Sequence, residues 1–245
     1  VLLKETIDNC IDEFTMGMAK RIEVTVEGGS ATVRDYGRGI PPEKLVECVS
    51  VMNTGGKYND DVFQFSIGLN GVGTKAVNAL SQEFVVRTIR EGKFREARFV
   101  RGELVGEDQG ECAERNGTRV FFTPDETLFP GYAFKQEYLE KRMWMYAYLN
   151  SGLSLYLNGQ LYLSRRGLQD LLESETGGER LYDVIAFRSK TLEFAVTHSD
   201  NYGETSFSFV NGQYTNDGGT HLSAFKEGVL KGINEFSGKN YKADE

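Results

Sequence analysis

Apolar residues at the beginning of the chain repeat first with the spacing of a helix and then with that of a strand. Together these two patterns favour a fold that combines helices with strands. Apolar residues recur every three or four positions from Leu3 to Phe14, which predicts an amphipathic helix over residues 1–16. Residues 21–27 then alternate between apolar and polar side chains, and residues 31–34 repeat the alternation after two glycines, which predicts a β-hairpin. The sequence therefore predicts an α+β fold.

The same two patterns continue to the end of the chain, with a break near residue 178. Ser174 to Gly178 is the best candidate for a linker, and we expect a second domain to begin there. The predicted domains are therefore residues 1–177 and 178–245. Further helices are predicted at residues 43–51, 75–80, 137–150 and 168–173 and from about Leu222, and strands within residues 84–123, 153–163, 192–196 and 205–210.

Composition argues against several classes of protein. The 245 residues include 28 Lys and Arg against 36 Asp and Glu, a net charge of −8, so a dominant basic surface for nucleic acid is not expected. No apolar run approaches the ~20 residues that a membrane helix needs. Three widely spaced cysteines without a CxxC pair favour a reducing cytosol over secretion. The chain begins at Val1, with neither an initiator methionine nor a signal peptide, so we expect a fragment.

Glu5 and Asn9 are four residues apart in the first predicted helix and therefore share one of its faces. A carboxylate beside an amide suits a general base next to a magnesium ligand, because Mg²⁺ prefers oxygen donors. The alternative is a solvated polar face without a chemical role, and this helix alone does not decide between the two.

A second polar motif, Asp35 followed by Tyr36, Gly37, Arg38 and Gly39, comes directly after a predicted strand. A carboxylate at a strand end can accept a hydrogen bond from an exocyclic amine, and the glycines let a flat ring come close. The alternative is a plain turn with a capping aspartate. Arg38 has a candidate ion-pair partner in a carboxylate such as that of Glu13.

The glycines between Gly68 and Gly73 lead directly into a predicted helix. Such a loop lets backbone N–H groups converge on a phosphate, and the alternative is a simple flexible loop. The segment lacks the ending of a Walker loop, and no βαβ unit supports a dinucleotide site. The two histidines, His198 and His221, have no ligand-spaced neighbours, so we expect structural roles for them and no zinc site.

Taken together, in this order and spacing, these segments resemble the GHKL ATPase superfamily, and within it the ATPase subunits of bacterial type IIA topoisomerases (gyrase B and topoisomerase IV B). The resemblance implies a Bergerat α/β sandwich, in which helices cover a mixed sheet, followed by the start of a ribosomal-S5-like transducer domain. Residues 1–177 would bind ATP, and residues 178–245 would end before the Gln-Thr-Lys loop. The motifs that carry the resemblance lie at residues 5–13, 35–41, 54–58, 68–81, 116–118 and 217–221.

The resemblance also implies roles for individual residues. Glu5 would polarise the water that attacks the γ-phosphate, and Asn9 would hold Mg²⁺ against the phosphates. Asp35 would accept a hydrogen bond from the adenine amine, with Thr118 joining through a shared water, and Lys57 would lie in the lid. The other implied positions are the nucleotide-contacting Gly39, Ile40, Gly71, Val72 and Gly73, and an inhibitor-pocket rim of Glu13, Arg38, Pro41 and Arg90.

At four positions the chain departs from the family pattern. Val1 stands where many gyrase B chains have a histidine that supports the base, and Tyr36 replaces a common Asn or Asp. Asn70 replaces the usual histidine of the glycine loop, and Phe63 replaces a nucleotide-contacting tyrosine. The family's N-terminal arm and Gln-Thr-Lys loop would lie outside this chain, so we expect the fragment to bind nucleotide and to hydrolyse it poorly.

The function that the resemblance implies is ATP-driven dimerisation and DNA strand passage by a type IIA topoisomerase in the bacterial cytoplasm, with ATP and Mg²⁺ as cofactors. Its partners would be a topoisomerase A-type subunit, DNA, a second copy on ATP binding and gyrase-type ATP-competitive inhibitors, with no membrane involved and the fragment itself a monomer. The amino-acid sequence of residues 68–81 resembles topoisomerase IV B more than gyrase B. The alternatives are a mismatch-repair or chaperone ATPase of the same superfamily and a nucleotide-sensing module without turnover.

Overall fold

The structure is a computed structural model that describes residues 1–52, 72–178 and 180–242. Its helices are α1 (Leu2–Thr15), α2 (Leu45–Ser50), α3 (Gly73–Ala79), α4 (Gln136–Leu149), α5 (Leu168–Thr176) and α6 (Thr220–Ser237), and a short 3-10 helix (Pro42–Lys44) precedes α2. Its strands are β1 (Arg21–Glu27), β2 (Ser30–Asp35), β3 (Ser81–Arg90), β4 (Lys93–Val100), β5 (Glu103–Glu111), β6 (Gly117–Pro124), β7 (Ser154–Leu157), β8 (Gln160–Tyr162), β9 (Ile185–Arg188), β10 (Glu193–Val196), β11 (Phe209–Val210) and β12 (Gln213–Tyr214). The helix and hairpin predicted at the beginning of the chain are confirmed.

Eight of these strands form one sheet in the order β5-β4-β3-β6-β2-β1-β7-β8. The β1–β7 pair is parallel, with Ile22 opposite Leu155, whereas every other pair of neighbours in this sheet is antiparallel. The expected mixed sheet is therefore confirmed. Because parallel neighbours need a long crossover connection, most of the sheet and its helices lie between β1 and β7 in the sequence.

One face of this sheet is apolar and is covered by helices. Val33, Val120 and Val86 lie side by side on three adjacent strands and are buried. Since side chains alternate along a strand, residues two positions away continue the same face. The helices supply the other half of the core with Leu3, Ile7, Ile11, Leu45, Val49, Val77, Leu139 and Met143.

The opposite face of the sheet carries charged and aromatic side chains at the end of the β1–β2 hairpin. Tyr36 donates a hydrogen bond to Glu23 at 2.9 Å, and the guanidinium of Arg34 lies 4.8 Å from the centre of the Tyr36 ring. Arg34 also donates to the carbonyl oxygen of Arg115 at 2.5 Å. Because Arg34 is directed to this face, the next residue, Asp35, is directed to the face that the helices cover.

The chain divides into two compact units, Val1–Asp200 and Asn201–Glu245. Strands β9 and β10 belong to the first unit, and the second contains the β11–β12 hairpin and helix α6. The functional domain boundary predicted near residue 178 remains a prediction. No helix of the described residues is both long and apolar enough to cross a membrane.

Two local predictions were wrong. Residues 174–176 of the predicted linker belong to helix α5, where the Thr176 hydroxyl donates to the carbonyl of Leu172 at 2.8 Å and Gly177 ends the helix in the left-handed conformation. Strand β11 contains only Phe209–Val210 of the predicted 205–210, because residues 205–208 take part in no strand pairing.

Candidate functional site

Helix α1 places Glu5 and Asn9 against the beginning of helix α3. The apolar side of α1 is held in the core by Ile7 and Ile11, so its polar side faces away from the core. The amide nitrogen of Asn9 donates to the carbonyl of Glu5 at 2.7 Å and to the hydroxyl of Thr74 at 2.9 Å. The Glu5 carboxylate packs so closely on Gly73 that a side chain at Gly73 would overlap it.

Asp35 ends strand β2 with its carboxylate buried, 3% exposed, on the helix-covered side of the sheet. Its Oδ1 accepts a hydrogen bond from the backbone N–H of Gly37 at 2.8 Å, and both of its oxygens lie 3.3 Å from the N–H of Thr118. The thiol of Cys10 approaches Oδ2 at 3.8 Å. These contacts bring three separate elements, α1, β2 and β6, to one carboxylate.

Burial raises the pKa of the Asp35 carboxyl above its usual value, although the N–H groups of Gly37 and Thr118 oppose the shift. A buried carboxylate is suited to recognising a donor on a neutral ring, because a hydrogen bond is stronger in a low dielectric than in water. Asp35 is therefore a buried group and not an exposed turn residue.

The segment after Asp35, in which the rim was predicted, is fixed by contacts from several elements. Arg38 pairs with Glu13 at 2.8 Å, the partner that the sequence suggested. Thr88 donates its hydroxyl to the carbonyl of Ile40 at 2.6 Å. Gly39 has a φ of +76° and lies so close to strand β3 that a Cβ would be 3.0 Å from Cγ of Arg90.

Pro41 stands just before the short helix Pro42–Lys44, and its carbonyl accepts a hydrogen bond from the N–H of Lys44 at 2.9 Å. The carbonyl of Pro42 accepts another from Arg95 of strand β4 at 2.8 Å. All four predicted rim residues, Glu13, Arg38, Pro41 and Arg90, therefore belong to ordered segments of the described chain.

Two of the predicted site residues, Lys57 and Gly71, lie outside the described residues, as do Phe63 and Asn70, two of the departures from the family pattern. Val72 and Gly73 are described and stand at the N-terminal end of helix α3. Of the predicted nucleotide contacts, the structure joins Asp35 directly to Thr118, whereas Asn9 contacts Glu5 and Thr74.

Asn9 is the residue whose chemistry fits a magnesium ion. Mg²⁺ is usually held by one or two protein oxygens together with phosphates and waters, and an amide oxygen is an acceptable donor. In the described parts of the chain, no cluster of three His, Cys, Asp or Glu side chains could hold a metal by itself. The histidines fit the structural roles expected of them, since His198 contacts Tyr182 and His221 lies 2.6 Å from the hydroxyl of Ser208.

Two known protein families match parts of this chain. Residues 1–128 match the family described as histidine kinase-, DNA gyrase B-, and HSP90-like ATPase. The chain belongs to this ATPase family. Residues 167–245 match a second family, described as DNA gyrase B. The match to the ATPase family contains Glu5, Asn9, Asp35 and Thr118, so the buried carboxylate and the polar side of α1 lie in the ATPase part.

Among individual relatives, the B subunit of DNA topoisomerase 4 from Borreliella burgdorferi is 52% identical over 100% of the chain and 41% of the relative. The B subunit of DNA gyrase from Helicobacter pylori is 33% identical over 100% of the chain and 35% of the relative. The chain therefore spans well under half the length of these curated relatives.

Solved structures confirm the fold expected for this family. The 43K ATPase domain of Thermus thermophilus gyrase B, solved in complex with an aminocoumarin, has a TM-score of 0.75 and 33% identity over 96% of the chain and 67% of that structure. The ATPase region of Saccharomyces cerevisiae topoisomerase II has a TM-score of 0.81 over 99% of the chain and 69% of that structure, at 23% identity, and shows the shared fold.

Sequence reasoning missed three residues that contact the predicted site residues. Cys10 touches Asp35, Thr74 holds Asn9 and Thr88 holds the rim at Ile40. The only available signal was the position of Cys10 beside Asn9 and of Thr74 directly after the glycine loop. Thr88 has no local signal, because its partner is 48 residues away in the sequence.

Proposed function

We propose that this chain is the ATP-binding and ATP-hydrolysing N-terminal region of the B-type subunit of a bacterial type IIA topoisomerase, with topoisomerase IV favoured over gyrase. The observation that carries the proposal is the buried Asp35 carboxylate, joined by Thr118 on the face of the sheet that α1 covers. Glu5 and Asn9 stand on that same helix, which supports assigning a base-recognition group and two phosphate-chemistry groups to one site.

Adenine recognition is assigned to Asp35. Its carboxylate would accept a hydrogen bond from the exocyclic amine, with Thr118 completing the contact and Gly39 and Ile40 bordering the ring. The raised pKa of Asp35 agrees with a desolvated pocket in which one hydrogen bond discriminates strongly between bases. Guanine presents a carbonyl where adenine presents the amine, so two acceptors would face each other.

Phosphate chemistry is assigned to the polar side of α1 and the beginning of α3. Asn9 would hold Mg²⁺, which when bound neutralises charge on the phosphates, and the N–H groups of Gly71, Val72 and Gly73 would bind phosphate oxygens. Glu5 would orient and polarise the attacking water, and Lys57 would close over the nucleotide. Positioning and charge neutralisation are what phosphoryl transfer requires, and little covalent chemistry is asked of the protein.

The whole protein's activity and partners follow from the relatives and are part of the proposal. ATP binding would drive dimerisation with a second copy, and the full-length protein would act on DNA with a topoisomerase A-type subunit in the bacterial cytoplasm. The fragment itself would be monomeric. Inhibitors that compete with ATP would occupy the rim of Glu13, Arg38, Pro41 and Arg90, because a gyrase B relative was solved with an aminocoumarin.

Two alternatives remain distinguishable from this proposal. A mismatch-repair or chaperone ATPase would share the fold, but the relatives at 52% and 33% identity are topoisomerase and gyrase subunits. A nucleotide-sensing module would bind ATP without turnover. If Glu5→Ala left the ATP hydrolysis rate of the full-length protein unchanged, the sensing module would be the better description.

The test is calorimetric titration of ATP, GTP and an aminocoumarin into the chain and its Asp35→Ala variant. Loss of a hydrogen bond to a charged acceptor costs about 1.5–3 kcal/mol, so we expect ATP affinity to fall roughly 10- to 150-fold. ATP should bind more tightly than GTP to the wild type. Equal affinities of wild type and variant for ATP would refute the assignment of Asp35.

A further inference from the structure

The side-chain amide of Asn9 is held by two hydrogen-bond acceptors on different helices. Its nitrogen lies 2.7 Å from the carbonyl oxygen of Glu5 in α1 and 2.9 Å from the hydroxyl oxygen of Thr74 in α3. A backbone carbonyl has no proton to donate, so the amide atom that faces Glu5 must be the nitrogen. The Thr74 hydroxyl accepts the second amide proton.

These two contacts determine which way the amide faces. Both N–H bonds of Asn9 are directed to α1 and to the beginning of α3, so the carbonyl oxygen occupies the other edge of the amide. Only that oxygen can ligate a divalent cation, since a neutral amide nitrogen has no available lone pair. Removing the Thr74 hydroxyl takes away one of the contacts that hold the amide in this orientation.

We propose that Thr74 is a positioning residue for the magnesium ligand, because its hydroxyl orients the amide of Asn9 so that oxygen, not nitrogen, faces the nucleotide-bound metal. The magnesium part of this inference rests on the proposed function, whereas the orientation of the amide does not. Thr74 also ties the helix that carries Glu5 and Asn9 to the helix that follows the glycine loop.

The first test compares Thr74→Val with Thr74→Ser. Valine has nearly the same shape as threonine but accepts no hydrogen bond, and serine keeps the hydroxyl. Binding of a non-hydrolysable ATP analogue is measured by calorimetry with Mg²⁺ and with EDTA. We expect Thr74→Val to weaken binding about 3- to 10-fold in Mg²⁺ and to leave binding in EDTA unchanged, because one neutral hydrogen bond is lost. Thr74→Ser should bind like the wild type in both.

Two results of this titration would overturn the inference. If Thr74→Val binds like the wild type in Mg²⁺, the hydroxyl does not orient the metal ligand. If affinity falls equally in Mg²⁺ and EDTA, Thr74 supports the local structure without a specific link to the metal.

A second measurement separates failure of this inference from failure of the proposed function. The side-chain amide protons of Asn9, assigned with Asn9→Ala, are recorded by NMR in the nucleotide-free chain, and Thr74→Val should move one of them upfield. Normal magnesium-dependent binding without that shift would overturn the role of Thr74 alone. Absence of magnesium-dependent nucleotide binding in the wild type would refute the proposed function, and the metal role with it.

Discussion

Asp35 gains its properties from its burial and from residues of several segments around it. Its carboxylate is buried, and two backbone N–H groups and a thiol approach it from the loop after β2, from β6 and from α1. Burial is the dominant influence on its pKa and outweighs the hydrogen bonds that would lower it. As the pH is lowered, the carboxylate of Asp35 therefore takes up a proton at a higher pH than an ordinary aspartate does.

This raised pKa predicts a pH dependence of nucleotide binding. Protonation converts the acceptor into a neutral carboxyl, so ATP affinity should fall as the pH is lowered through the raised pKa of Asp35. Calorimetry across the acidic range measures the effect. The phosphates of ATP also titrate, so Asp35→Asn serves as the control, and its affinity should show only the phosphate contribution. Parallel pH profiles for the two proteins would contradict the prediction.

The same shift has a consequence for stability with a defined sign. Because the folded-state pKa of Asp35 lies above its unfolded-state value, the native state binds the proton more tightly. Protonation of Asp35 therefore stabilises the folded state relative to the unfolded state. This contribution is fully present below the unfolded-state pKa and is lost as the pH rises through the folded-state pKa. Carboxyl groups whose pKa is shifted by burial are common at functional sites.

Helix α1 is fastened to helix α4 by a buried polar contact. Tyr146 donates its hydroxyl to Oδ1 of Asp8 at 2.9 Å, and Lys4 pairs with Oδ2 of Asp8 at 2.5 Å. Asp8 is 3% exposed and Tyr146 is 4% exposed. Desolvation and the nearby charge of Asp8 raise the pKa of Tyr146 far above its usual value, so the tyrosine remains a donor throughout the accessible pH range.

Removing this donor should weaken the whole first unit. Tyr146→Phe leaves a buried carboxylate oxygen without one hydrogen bond, so we expect a loss of about 1.5–3 kcal/mol in the free energy of unfolding. Urea denaturation measures it. Tyr148→Phe on the same helix is the matched control, because its ring keeps its stacking on Trp144. Equal effects of the two substitutions would mean that the contact with Asp8 contributes nothing specific.

Asp125 joins the turn between β4 and β5 to the end of β6. Its oxygens accept hydrogen bonds from Arg101 at 2.5 Å and from the N–H and hydroxyl of Thr127 at 2.9 and 2.8 Å. These hydrogen bonds, first that from Arg101 and then those from Thr127, lower the pKa of Asp125 to about 2. Arg101 has a φ of +50°, so this contact also holds a residue that is not glycine in the left-handed region.

The lowered pKa of Asp125 predicts how stability changes in acid. Because the folded pKa is below the unfolded one, its contribution is complete above about pH 4 and is lost as the pH falls towards 2. Asp125→Asn should be less stable than the wild type at neutral pH, and the difference should shrink between pH 4 and 2. The midpoint of urea denaturation at several pH values measures this. A constant difference across that range would contradict the assignment.

At the scale of the whole molecule, β7 completes the sheet by pairing in parallel with β1. Leu155 is fully buried opposite Ile22, so its side chain is part of the core that α1 covers. Leu155→Ala should cost about 2–5 kcal/mol in the free energy of unfolding, because it leaves a cavity in a packed core. Leu161→Ala in β8, where the side chain is 44% exposed, should stay within about 0.5 kcal/mol. Similar losses in urea denaturation would argue against a core role for β7.

Local sequence patterns predicted most helices and strands, because the spacing of apolar residues that distinguishes them is visible within a few consecutive residues. The spacing of Glu5 and Asn9 and the position of Asp35 at a strand end were correct for the same reason. The contacts that assemble the site were not predictable from local patterns. Asn9 meets Thr74 across 65 positions, and Asp35 meets Thr118 across 83, so only the completed sheet brings them together.

The parallel pairing of β1 with β7 also affects how the chain folds while it is being synthesised. Residues 21–24 are made early, but their partners are residues 154–157, so one edge of β1 stays uncovered while the intervening chain is synthesised. At ordinary rates of translation this interval lasts on the order of ten seconds. An unpaired strand edge with alternating apolar residues invites pairing with other chains. The nascent protein therefore passes through a period in which chaperones or a low local concentration decide between folding and aggregation.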